Sequence, residues 1–135
     1  NNNQPPMKNE DIVISVNVST SKHSKQWTGK YLINSKATRA YIKNSKPFYV
    51  KERKKFLKLI KNLPKPYHVS FYFIRNSRRK FDYINPAQTV QDLMVKNGWI
   101  EDDDIFNLWP HFHGYEVDKE KAGVIIRVLK DEGKS

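Results

Sequence analysis

The stretch DIVISVNVS sets Ile12, Ile14, Val16 and Val18 at every second position, between polar or smaller neighbours. A two-residue period of β-branched side chains predicts a strand with a buried face. The period changes in FYVKERKKFLKLIKNLP, where Phe56, Leu59, Ile60 and Leu63 recur at helical spacing. Lys51, Arg53, Lys54, Lys55, Lys58 and Lys61 cover much of the remainder, which predicts a helix with a cationic outside, ended by Pro64. Period two returns in YHVSFYFIR through Val69, Phe71 and Phe73, bounded by PKP and RNSRRK. That segment predicts a central strand. In NPAQTVQDLMVKNG, Ala87, Val90, Leu93 and Met94 face the core from a second helix. Asn85 is the expected N-cap, Pro86 the first helical residue, and Asn97 with Gly98 the C-terminal stop. DIFNLWPHF reads as a short strand or extended loop, and KAGVIIRVL as a buried last strand.

Strands separated by helices predict an α/β fold. The expected architecture is a single-domain two-layer sandwich, with a small mixed sheet of about four strands packed on two or three helices. Between positions 19 and 46 the pattern lapses into Ser, Lys and Asn. This region is expected to be a loop holding a short basic helix over 35–44, capped by Ser35, with Ala37, Ala40 and Tyr41 on one side. Residues 1–9 lack apolar periodicity and read as a tail, which leaves a domain over 10–130 and a short C-terminal tail over 131–135.

Composition narrows the function. A chain of 135 residues with 38% hydrophobic and 13% aromatic content is the size of one domain and supplies a core. It has no cysteine, so any metal would be held by oxygen or imidazole. No stretch has the apolar length of a membrane span, and NNNQPPMKNE lacks the apolar core of a signal peptide, so a cytoplasmic protein with no membrane partner is expected. The net charge is +11, and from Ile12 to Phe81 there are 18 Lys or Arg against the single acid Glu52. A field of that sign and density points to a polyanion, with nucleic acid first among the candidates. Lys25, Lys30, Lys36, Arg39 and Lys43 interleave with Trp27, Tyr31 and Tyr41, which suits backbone contact with stacking on unpaired bases, or packing under a long loop. Arg78, Arg79 and Lys80 form a second basic run. His23, His68, His111 and His113 complete no zinc-like spacing. There is no glycine-rich phosphate loop, nucleophile motif or dinucleotide fingerprint, so no small-molecule organic cofactor is expected.

From Asp82 onward acids outnumber bases. Asp82 follows a strand, and Glu101, Asp102, Asp103 and Asp104 follow the next helix. Carboxylates so placed can converge at one end of a sheet, and convergent carboxylates are commonly reconciled by Mg²⁺. Beside a cationic surface such an ion would polarise a phosphodiester and activate water. The same acidic run also fits a solvated turn, and Asp92 fits an ion pair with Lys96 one helical turn on.

At these residues the chain resembles the RusA-type Holliday junction resolvases. KFDYINPAQTVQDLMVKNGWIEDDDI follows their signature of an aspartate pair with an adjacent asparagine, a helix carrying Lys and Asp, then Gly and a late Asp-Asp. Asp82 takes the first metal aspartate, Asn85 the asparagine, Asp92 the helix aspartate, Gly98 the turn glycine, and Asp102 with Asp103 the late pair. The resemblance implies a homodimeric endonuclease that binds branched DNA and resolves Holliday junctions in recombination and repair, in the nucleoid. Its implied cofactor is Mg²⁺, or Mn²⁺ as a substitute, held by Asp82, Asp102 and Asp103. Asp82, Asp103 and Lys80 are the implied catalytic groups. The chain departs from the family at two positions, with Ile84 in place of the second aspartate and Gln88 in place of the catalytic lysine. Either Asp104 or Glu101 with Lys80 or Lys96 compensates, or the protein is a junction-binding relative that has lost part of the metal site.

Overall fold

The computed structural model describes residues 8–20, 25–27, 32–34 and 36–130. In chain order the elements are β1 (Ile12–Ile14), β2 (Lys25–Trp27), β3 (Leu32–Asn34), α1 (Lys36–Ile60), β4 (Tyr67–Arg75), α2 (Ile84–Lys96), β5 (Leu108–Val117) and β6 (Gly123–Leu129). Four strands form one mixed sheet in the order β1-β6-β4-β5, while β2 and β3 pair with each other. β6 runs antiparallel to both β1 and β4, and β5 runs parallel to β4. The fold is α/β with a mixed open sheet and two helices, and β4 lies inside the sheet as its hydrophobic run requires. No described helix is long and apolar enough to cross a membrane.

One face of the sheet meets the helices. Ile12, Val69, Phe71, Phe73, Val124 and Ile126 pack with Tyr49 and Phe56 of α1 and with Val90 and Met94 of α2 in a single core. Trp99 sits at its centre, 1% exposed. Its ring stacks on Phe56 at 5.0 Å, and its Nε1 donates to the Tyr49 carbonyl oxygen at 2.9 Å. Burying both the ring and its polar handle fixes the loop after α2 against α1.

Three local expectations need correction. The short helix over 35–44 and the basic helix after it are one 25-residue helix, with Pro47 inside. Proline removes the hydrogen bond to the Lys43 carbonyl and crowds it. Tertiary packing outweighs that cost, because Tyr41, Ser45, Tyr49, Phe56 and Ile60 form a buried stripe across the proline. The Tyr41 and Tyr49 hydroxyls lie 2.8 Å apart within it, and burial pushes the Tyr41 hydroxyl up to about 12. Tyr41 is therefore core, not a stacking platform. Second, α2 begins at Ile84 with Tyr83 as its N-cap and no side-chain cap bond, so Asn85 lies inside the helix. Pro86 falls in the first turn, where a backbone N–H has no partner to lose. Third, DIFNLWPHF contains the start of a ten-residue strand at the sheet edge, where Pro110, which has no N–H to donate, is tolerated because the strand has a neighbour on one side only. The loop expected over 19–46 also holds the β2 and β3 pair.

The C-terminal stop of α2 is as expected. Gly98 has φ of 77°, its N–H donates to the Val95 oxygen, and the Trp99 N–H donates to the Met94 oxygen. This is the Schellman arrangement that a left-handed glycine permits.

Candidate nucleic-acid interface

β4 ends at Arg75, and residues 76–83 lead from it into α2. The Asn76 N–H donates to Asn17 Oδ1 at 3.1 Å, which ties this loop to the segment after β1. The Asn85 N–H donates to the Asp82 carbonyl oxygen at 3.1 Å, which turns the chain into the helix. Together with Thr20, Asn85 and Tyr115, residues 78–83 wall a cleft of about 550 Å³. Tyr115 pairs with Phe73, so the cleft lies at the carboxyl ends of the parallel strands β4 and β5. Open α/β sheets commonly place ligand crevices at that end. Arg78, Arg79 and Lys80 line it with exposed side chains, and Asp82 is the single carboxylate among them.

The cleft floor is aromatic. Phe81 lies edge-on to Tyr115 at 5.2 Å and tilted to Tyr83 at 5.8 Å, and Tyr83 stacks on Phe112 at 4.6 Å. Arg75 is buried beneath this cluster, its guanidinium carbon 4.3 Å from the centre of the Phe81 ring. Arg75 Nε and Nη1 have no hydrogen-bond partner, and burial lowers the pKa of the group. Polarised ring faces are the usual seat of such a cation.

Elsewhere, Lys36, Arg39 and Lys43 are exposed on α1 at spacings of three and four residues, a stripe that Lys46 continues. Lys25 and Trp27 lie in β2, and Lys30, Tyr31 and His23 lie outside the described residues. His68 Nδ1 and His111 Nε2 lie 2.8 Å apart across β4 and β5, each ring serving as the other's hydrogen-bond partner. That pairing accounts for both without a metal.

The acidic run has mostly local employment. Glu101 pairs with Lys65 at 3.0 Å. Asp102 Oδ1 accepts the Asp103 N–H, and Asp104 Oδ1 accepts both the Phe106 N–H and Asn107 Nδ2. Asp103 turns toward α2. Gln88 Nε2 donates to Asp103 Oδ2 at 3.1 Å and to Asp92 Oδ1 at 2.8 Å. The carboxylates brought together are therefore Asp92 and Asp103, with an amide between them.

The expected trio of Asp82, Asp102 and Asp103 does not assemble as a metal-holding group. Among the described residues no three His, Cys, Asp or Glu side chains do. The reason is topological. Because β5 is parallel to β4, α2 carries the chain from the carboxyl end of β4 to the amino end of β5. Asp82 precedes that crossing and the acidic run follows it, so they start at opposite ends of the sheet. The loop over 97–107 doubles back only far enough for Asp103 to reach Gln88. The donor set does not fit the implied Mg²⁺, since an amide occupies the place between the paired carboxylates and Ile84, 68% exposed, supplies no oxygen.

Sequence reading identified Arg78, Arg79, Lys80 and Asp82, which share the cleft, but not Arg75, Phe81, Tyr83, Phe112 or Tyr115. The aromatic interleaving of RRKFDY was the available signal for Phe81 and Tyr83. Nothing local marks Phe112 and Tyr115, whose approach depends on strand pairing. No protein-family model matches the chain, and no curated protein matches it.

Proposed function

We propose that this chain binds branched DNA as a RusA-type protein, holding the phosphate backbone in the cleft at the carboxyl ends of β4 and β5. The observation that carries the reading is the run Arg78, Arg79 and Lys80 exposed along one wall of that cleft, leading into the segment that resembles the resolvases. Cations so placed neutralise phosphates and release counterions, which positions a duplex without reading its sequence. The exposed stripe Lys36, Arg39, Lys43 and Lys46 adds a second cationic track. A four-way junction has two-fold symmetry, and a homodimer presents two such clefts to it. In a cell this binding would place the protein on the nucleoid, in recombination or repair.

Fluorescence anisotropy with a synthetic four-way junction and a linear duplex of equal length tests the reading. The junction should bind tighter, and replacing Arg78, Arg79 and Lys80 with alanine should weaken it by roughly ten- to a hundred-fold, at about 0.5 to 1 kcal/mol per exposed charge contact. Equal affinity for the two DNAs, or higher affinity for RNA, would refute it. Light scattering of the complex should give the mass of a dimer.

Junction cleavage is a second reading, favoured by the placement of Asp82 in the same cleft as the cations, and it requires DNA binding to draw in carboxylates that the free chain keeps apart. Under it, the purified chain nicks the junction with Mg²⁺ or Mn²⁺ and not with EDTA, and Asp82→Asn abolishes nicking while leaving binding intact. Inactivity across divalent ions would leave the binding function alone.

A further inference from the structure

Phe112 and Tyr115 are each half exposed at the sheet edge, which is unusual for rings that pack against others. Their alignment has a specific cause. Phe71 pairs with Phe112 and Phe73 with Tyr115, so β5 spends one more residue than β4 between the two pairs. This is a bulge, and Gly114 occupies it with φ of 119°. Without the extra residue, Tyr115 would point to the opposite face from Phe112. With it, both rings join the face of Phe71 and Phe73 and meet Tyr83 and Phe81. Bulges beside functional sites commonly re-aim a side chain in this way.

The result is a shelf of four rings, open to solvent at Phe112 and Tyr115 and running into the cationic wall of the cleft. Arg75 lies against Phe81 with two donors unmatched. We propose that this shelf is a stacking site for an unpaired base whose flanking phosphates lie along Arg78, Arg79 and Lys80. Charge decides the occupant. A second copy of a chain with net charge +11 would bring cations toward cations. An unpaired nucleotide brings a π face for the rings and a phosphate for the arginines. The inference rests on the proposed DNA binding and adds the feature recognised, a base freed from its stack where strands part.

The test uses the full chain with 2-aminopurine at an unpaired position beside a three-way junction, the fully paired four-way junction, and a short oligothymidylate. Binding should quench the 2-aminopurine. Tyr115→Ala should abolish the quench and weaken the unpaired substrate about ten-fold, a larger loss than the duplex shows. Tyr115→Phe should restore both, and Phe112→Ala should reproduce the loss in part. Alanine variants that bind and quench as the parent does would overturn the inference. So would a fall in mass by light scattering with stacking unaltered, which would make the shelf a contact between copies. If the oligothymidylate binds with an affinity that Tyr115→Ala lowers but junction and duplex bind equally, the shelf stands and the branched-DNA reading fails. If the junction is preferred without any quench, the opposite holds.

Discussion

Asp11 shows how much a single carboxylate can do when it is buried. It lies just before β1, its side chain fully covered, and takes both arms of Arg127 on β6 at 2.7 and 2.8 Å. The Lys8 N–H donates to it as well, at 2.9 Å. Burial works to raise its pKa, but the bonds from Arg127 and Lys8 hold it below 3.8. A lowered folded pKa means that stability from this group is present above the unfolded value and is lost as pH falls through the folded one. Asp11→Asn should cost about 3 kcal/mol in urea unfolding at neutral pH, because it leaves Arg127 facing a neutral amide. The variant should also lose less of its remaining stability than the parent does below about pH 4. A variant as stable as the parent would show that this pair only offsets its own desolvation. Gln88 is the counterpart at the candidate site. It stands where the resemblance calls for lysine, and its amide is shared by two carboxylates that a cation would otherwise reconcile.

At the level of elements, helix α1 is where local propensity and tertiary structure disagree most. The residue pattern suggested two helical stretches where the structure has one, and Pro47 lies between them. The buried stripe from Tyr41 to Ile60 was visible only in part, through Phe56 and Ile60, because Ser45 and the tyrosines do not advertise burial. Ser45 Oγ donates to the Tyr41 oxygen at 2.6 Å, so even its hydroxyl is turned back onto the helix. Replacing the exposed Pro47 with alanine should restore a backbone hydrogen bond and raise stability by about 1 kcal/mol or more, against a full interior penalty of roughly 3 kcal/mol. Thermal unfolding followed by circular dichroism should then shift upward by a few degrees, roughly 4 °C. A downward shift would mean that the bend at Pro47 is needed for the stripe to reach Trp99. The end of α2 illustrates the reverse case, since Asn97 and Gly98 carry their own instruction and the left-handed stop follows from it.

Across the whole molecule, charge separation is the feature with the clearest functional consequence. If the basic front half neutralises several phosphates, the logarithm of the DNA binding constant should fall linearly with that of salt concentration, at a slope near −0.9 per phosphate for duplex DNA. Removing Arg78, Arg79 and Lys80 should flatten the slope by about two to three, and an unchanged slope would place the backbone elsewhere. The residue pattern by itself determined the α/β class, the central strand, the end of α2 and the cationic surface, because period and charge are properties of neighbouring residues. Tertiary structure decided the rest. The parallel pairing of β4 and β5 made α2 carry the chain away from Asp82 before the acidic run begins, and one extra residue at Gly114 swung Tyr115 onto the face of Phe112. Direction and register between distant strands are set by which faces bury together, and no local spacing encodes them.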